Sequence, residues 1–431
     1  MSPIVAEKNN SGILKVKFKY FFAFLFQKCL LENKRQKMAV IYFSNSFFSS
    51  KIRTFFLFVL FSVGISVSIS ASAQDTIRFK GQISQWTQFL PSSTWPWTIG
   101  ARFIPQLNYE YKFNKKQMLD FEVSANIVGN IGFRLSDSSN ADGQINPYRL
   151  WARFSSKQFE LRIGLQKINF GSASILRPLM WFDQMDARDP LKLTNGVYGL
   201  LGRYYFLNNT NVWLWVLHGN KELKTWETSK TNQDFPEIGG RIQSPITKGE
   251  MAFTYHFRYS DMQSNYPFLF GMNKVAENRF GIDGKWDLGV GIWTEAVWIN
   301  KNRNVGVYTN QEMANMGFDY TFGLGNGFYL VVEQLFVSTH EKPFRFENNS
   351  WFTAASISYP ITLFDQVQAM VYYDWTNSKT YHFVNWNRNF NKFSIFLMAY
   401  FNPKIGQLPL QPLSNNSFIG NGIQLIFVYD Y

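Results

Sequence analysis

Cysteine is all but missing from this chain: Cys29 is the one thiol in 431 residues. A disulfide framework needs pairs, and a thiolate metal site or thiol nucleophile needs cysteine in the folded part, so none of these is expected beyond residue 73. Histidine is scarce too. His218, His256, His340 and His382 are the four present, and none lies in a zinc-helix spacing, a nucleophile elbow or a phosphate loop. Long apolar runs are lacking after Gln74, so that region offers no candidate membrane-spanning helix. The excess of positive charge is also smaller than it looks. Ten of the 43 Lys/Arg but two of the 30 Asp/Glu fall in the first 73 residues, leaving a net charge of about +5 rather than +13 for the remainder. That balance gives no reason to expect a nucleic-acid partner.

What is present is a large aromatic content, 44 Phe, 21 Tyr and 14 Trp, in a chain whose mean hydropathy is only −0.19. Apolar residues diluted by polar ones point to two-sided strands rather than buried helices. The longest apolar run, "TFFLFVLFSVGISVSIS" (Thr54 to Ser70), follows Lys51 and Arg53 and is followed by Ala71-Ser72-Ala73. A basic start, an apolar stretch and a small-residue A-x-A end predict a secretory signal over 51–73, cleaved before Gln74. The alternative is an N-terminal membrane anchor. Residues 1–50 form an extension in front of this signal, and Met38 stands where an ordinary leader would begin, so a start site upstream of the true one is expected.

From Gln74 onward the pattern is alternation. In "RFIPQLNYEYKF", Phe103, Leu107, Tyr109, Tyr111 and Phe113 share one face, while Arg102, Gln106, Asn108, Glu110 and Lys112 share the other. In "LDFEVSANIVGNIGFR", Leu119, Phe121, Val123, Ile127, Ile131 and Phe133 oppose Asp120, Glu122, Ser124, Asn126 and Asn130. Period two over this length is a half-buried strand. The runs exceed the ~5–6 residues of soluble sheets and suit a tilted bilayer crossing of roughly 9–11 residues. About 18 such runs (16–18) are separated alternately by short turns and long polar stretches, the rhythm of a closed membrane barrel. The short turns are 114–117, 155–158, 208–211, 247–249, 286–288, 323–327, 360–362 and 389–392. The long connections are 90–97, 135–146, 171–197, 221–235, 260–276, 300–311, 340–349, 376–379 and 403–420. The expected fold is therefore an all-β, antiparallel transmembrane barrel over 74–431. Closure leaves no open edge in lipid.

With its leader, this strand–loop rhythm and an aromatic terminal residue, Tyr431, the chain resembles the large outer-membrane porins of Gram-negative bacteria, including eighteen-stranded substrate-selective and polysaccharide-export barrels. The resemblance implies short turns on the periplasmic side, long loops outside, a setting of outer-membrane lipid and lipopolysaccharide, and handling by periplasmic chaperones and the β-barrel assembly machinery. It implies no cofactor.

If the apolar face meets lipid, charge marks the lumen, because an arginine facing mid-bilayer lipid costs roughly 2–4 kcal/mol. The expected lumen residues are Arg102, Glu122, Arg149, Arg153, Arg162, Arg203, Arg241, Arg258 and Arg279, with Glu160, Asp283 and Glu295 in phase. An arginine-rich wall would favour anions. Mutual Arg–carboxylate pairing that stiffens the wall is the alternative. An interfacial girdle is expected to take most of Trp213, Trp215, Trp293, Trp298, Tyr372, Tyr373, Trp375 and Trp386. In "FYLVVEQLFV" (Phe328 to Val337), Glu333 and Gln334 lie on opposite faces, which leaves the phase of that strand open.

The longest connection, 171–197, contains "RPLMWFDQMDARDP" and is too apolar for an outer loop in water. It is expected to fold into the mouth as a constriction formed by Arg177, Trp181, Phe182, Asp183, Asp186, Arg188 and Asp189. The aspartates, three apart, would share one side of a helical turn and pair with arginines. A rim latch is the alternative; a calcium site lacks the usual ligand spacing. The leading functional expectation is diffusion of small polar solutes with a lean toward anions. Other readings are export of an acidic polysaccharide and a non-conducting scaffold for a lipoprotein or secretion partner. An outer-membrane hydrolase is a further alternative, but no catalytic constellation is expected.

Overall fold

The first strand, β1 (Asp75–Phe89), hydrogen-bonds on both edges, to β2 (Trp97–Asn114) and to the last strand, β19 (Asn421–Asp430). That double pairing closes the sheet on itself. The computed structural model describes residues 75–135, 138–404 and 418–431. The signal expected at 51–73, the extension before it and Cys29 lie outside the described residues.

Between these ends run β3 (Gln117–Phe133), β4 (Ser139–Ser155), β5 (Phe159–Gln166), β6 (Val197–Tyr205), β7 (Asn211–Leu217), β9 (Glu237–Ile246), β10 (Gly249–Asp261), β11 (Val275–Asp287), β12 (Gly291–Lys301), β13 (Asn310–Phe322), β14 (Phe328–His340), β15 (Asn349–Pro360), β16 (Asp365–Asp374), β17 (Lys379–Asn389) and β18 (Phe393–Phe401). Each pairs antiparallel with its neighbours. The two-residue β8 (Lys230–Thr231) only brackets the end of β10, and β7 pairs directly with β9. The result is a closed, antiparallel, 18-strand barrel. One helical turn, α1 (Met262–Asn265), is capped by Asp261 accepting from the Ser264 amide. Among the described residues no helix is long and apolar enough to cross a membrane.

The alternation read from the sequence sets the two faces. On β3, Asp120, Ser124 and Val128 are buried inward while Val123 is exposed outward. The outer face carries Leu107, Ile163, Ile242, Phe253 and Met316, the last 65% exposed. A continuous apolar exterior of this kind is stable against hydrocarbon and not against water. The short turns 115–116, 156–158, 206–210, 247–248, 288–290, 323–327, 361–364 and 390–392 gather at one rim, as expected to within a residue or two.

Two expectations need correction. Residues 135–146 are not one long loop, because β4 begins at Ser139 and pairs with β3 from there. A hairpin that rises beyond the apolar band has water on both faces, so its sequence loses alternation while its backbone ladder continues. For the same reason β2, β3 and β4 reach 18, 17 and 17 residues, well past a bare bilayer crossing.

Candidate functional site

The segment 167–196, between β5 and β6, turns into the barrel. Leu176, Leu179, Met180, Trp181 and Phe182 are all buried. Phe170 stacks with Trp215 of β7 at 5.8 Å, and Phe182 meets His256 of β10 edge-on at 4.9 Å. Asn315 of β13 donates to the Leu176 carbonyl at 2.6 Å, and Arg149 of β4 donates to the Thr194 hydroxyl at 2.6 Å. β4 and β13 lie on nearly opposite sides of the ring. A segment that touches both walls must cross the lumen.

Its anchors differ from the ion pairs that the sequence suggested. Glu333 of β14 accepts from the backbone amides of Ser174 (2.7 Å), Ile175 (3.1 Å) and Leu176, and from the Ser174 hydroxyl (3.1 Å). Successive amides converging on one carboxylate form an anion-binding nest supplied by the segment itself. Glu295 of β12 accepts from the amides of Ala173 (2.7 Å) and Leu179 (3.1 Å). Gly171 has φ +99, and a β-carbon there would collide with the Glu295 carboxylate. Gly281 on the wall leaves room for Leu179 and Trp181. The segment is thus held by wall acids gripping loop amides.

The three aspartates form no helical turn. Asp186 pairs with Arg188 at 2.6 Å, Asp183 caps the Gln184 amide and Asp189 caps the Leu191 amide. Burial raises the Asp183 and Asp189 carboxyls from their ordinary value. Arg188 is buried among aromatic rings, 5.2 Å from Phe383 and 5.0 Å from Phe418. Arg177 stays within the segment, bonded to Asn169 and the Phe170 carbonyl. None of the aspartates makes an ion pair with a wall arginine among the described residues. No group of three or more His, Cys, Asp or Glu is placed to hold a metal there either.

A second connection, 218–236, braces the first. Trp226 donates its indole N–H to the Arg177 carbonyl at 2.7 Å, and Gln184 donates to the Leu223 carbonyl. Glu227 reaches the wall, 2.9 Å from Arg258 and 2.8 Å from Arg279. Glu277 bonds the same two arginines at 2.7 Å each and Lys301 at 3.4 Å. Arg241 pairs with Asp283 at 2.6 Å. All of these side chains are nearly sealed from water.

The nine residues expected to line the lumen therefore separate into two groups. Arg241, Arg258 and Arg279 are locked into buried ion pairs on β9–β11. Arg102, Arg149, Arg153, Arg162 and Arg203 lie on β2 and β4–β6 with Asp120, Glu122 and Glu160 as their acids. Arg149 stays in phase with Arg153 on the lumen face, and a register shift leaves Tyr148 unpaired just before it. Arg153 bonds Asp120 at 2.8 Å, while Glu160 is shared by Arg153, Arg162 and Arg203 at 3.5, 3.0 and 3.6 Å. Arg153, Arg162 and Arg203 keep 28%, 14% and 16% of their side chains in contact with water. Arg203 stacks 3.9 Å over Trp213, and Arg102 lies 5.5 Å from the Trp86 ring. The girdle reading needs correcting as well: Trp215, Trp293 and Tyr372 are buried on the inner face.

No family model and no curated sequence matches the chain. Among solved structures, OccAB4 of Acinetobacter baumannii superposes with a TM-score of 0.50 at 9% identity, covering 83% of this chain and 98% of that one. OccK7 (OpdD) of Pseudomonas aeruginosa gives 0.47 at 10% identity, covering 83% and 99%. The anion-selective porin of Comamonas acidovorans gives 0.44 at 8% identity, covering 83% and 100%. The fold is that of an outer-membrane porin. Sequence reasoning missed several residues that organise the lumen of this porin-like barrel: Glu333, Glu277, Glu227 and Trp226. Glu333 was recoverable. The mid-bilayer cost of a lipid-facing charge exceeds that of an amide, which alone turns Glu333 inward and Gln334 outward.

Proposed function

We propose that the protein is an outer-membrane channel for small polar solutes, biased toward anions by Arg102, Arg149, Arg153, Arg162 and Arg203. The segment 167–196 is its constriction, and the conducting route runs past the β2–β6 wall rather than the β9–β12 wall. The observation that carries this reading is the division of the arginines. One group is dry and neutralised by carboxylates; the other has five arginines to three acids, and four of the five, Arg102, Arg153, Arg162 and Arg203, keep contact with water while Arg149 is buried against Thr194. Excess fixed positive charge along an aqueous path raises the local concentration of anions. Export follows from the predicted signal over 51–73, and N-terminal sequencing of protein from the membrane should begin at Gln74.

Planar-bilayer recording tests the reading directly. A salt gradient should give an anion-biased reversal potential that Arg153→Gln with Arg162→Gln moves toward zero. Arg258→Gln should disturb folding instead. A cation-biased or closed wild-type barrel would overturn the proposal. Deleting residues 178–190 should raise single-channel conductance severalfold; unchanged conductance would make the segment a latch and not a constriction.

A further inference from the structure

We infer that a cavity at the short-turn rim is a subsite for a zwitterionic solute of amino-acid to dipeptide size. The inference takes from the channel proposal only that solutes reach this end of the lumen. The cavity measures about 640 Å³ and is lined by Gln243, Glu250, Lys285, Asp287 and Asp319 among others. It lies at the ends of β9–β13, beneath the dry ion-pair cluster.

Its charges are arranged unusually. Glu250 and Lys285 are direct cross-strand partners of opposite sign, a position where side chains ordinarily pair. Here they are drawn apart. Glu250 accepts from the Gln243 amide at 2.6 Å, and the Lys285 ammonium turns toward the Trp293 ring, 5.8 Å from its centroid. Asp319 accepts from the Tyr329 hydroxyl at 2.8 Å, and Asp287 caps the Gly289 amide at 3.2 Å. Among the described residues none of Glu250, Lys285, Asp287 or Asp319 makes an ion pair. All four line the cavity.

A lining of one sign would concentrate one kind of ion. Separated, unpaired charges of both signs attract and repel a singly charged solute at once, but they match a molecule carrying an ammonium at one end and a carboxylate at the other. The ammonium would be met by Asp287, Asp319 and Glu250, and the carboxylate by Lys285 together with Lys248, which also lines the cavity. The volume falls in the ~300–1,000 Å³ range of small-molecule sites. The termini of an extended dipeptide stand roughly 7 Å apart, a length that a cavity of this volume accommodates.

Calorimetric titration of the full chain in detergent with glycylglycine, N-acetylglycylglycine and glycylglycine amide tests the assignment. Glycylglycine is expected to bind about tenfold more tightly than either singly charged analogue. Lys285→Gln with Lys248→Gln should erase the preference over the amide, and Glu250→Gln with Asp319→Asn the preference over the acetylated form. Heat-modifiable gel mobility checks that the variants fold. Equal binding of the three ligands, or preferences unmoved by the substitutions, overturns the subsite. A barrel that shows the preferences but passes no current in a bilayer would sink the channel proposal and leave the subsite standing.

Discussion

Glu333 shows how much one lumen carboxylate can organise. It accepts from three consecutive loop amides and a hydroxyl, and hydrogen bonds to a charged group contribute about 1.5–3 kcal/mol each. Glu333→Gln removes the charge and one acceptor oxygen. The docked segment should lose on the order of 2–3 kcal/mol, read as flickering openings in single-channel records and faster proteolysis near residue 175. The aspartates of the segment act in the other direction. Burial raises the folded values of Asp183 and Asp189 above their unfolded ones. Their contribution to docking is therefore complete below the unfolded carboxylate range and fades as pH rises through the raised folded values. Lys167, Arg177 and Arg149 act on Asp183 and Arg102 on Asp189, and these cations moderate the effect without reversing it, while the Asp186 carboxylate adds to the rise at Asp189. Openings should become rarer as pH falls from neutral into the acid range. Asp183→Asn should flatten the part of that dependence which Asp183 supplies; a wild-type record with no pH trend would count against the assignment.

At the scale of strands and loops, the faces were legible because one physical contrast, lipid against water, repeats at every second residue. It holds for Leu107 against Gln106 and for Val123 against Glu122, and it gave the strand number and the short turns. Val123→Arg should cost roughly 2–4 kcal/mol in urea-dependent folding into lipid vesicles, whereas Asn126→Arg on the lumen face should cost far less. The contrast fails where both faces meet water, as in 139–146, and the strand there went unread. It also says nothing about which lumen charges meet. Arg258 and Glu227 are brought together by a loop returning over the wall, and no spacing in the sequence encodes that return. The inward course of 167–196 was legible from its misplaced apolar residues, but its fastening was not, since backbone amides carry no sequence signature. Gly171→Ala combines a disfavoured φ with a collision against Glu295. It should dislodge the first turn of the segment and lower the melting temperature by several degrees without changing strand content by circular dichroism.

For the molecule as a whole, the seam between β1 and β19 matters most. Gly81 and Tyr431 exchange both backbone hydrogen bonds, at 3.2 and 3.1 Å, so the last residue of the chain helps to close the wall. Removing Tyr431 should slow the appearance of the compact, heat-modifiable form while leaving its final conductance intact. The grip on 167–196 comes from side chains scattered over much of the ring: Arg149 early in the chain, Glu295 and Glu333 late in it. Those residues share a centre only after the sheet has met its own beginning. On the channel proposal, obstruction is therefore a late step of biogenesis, and a half-assembled barrel would leak more than a finished one. A cell producing this protein would need to keep the interval between those two states brief.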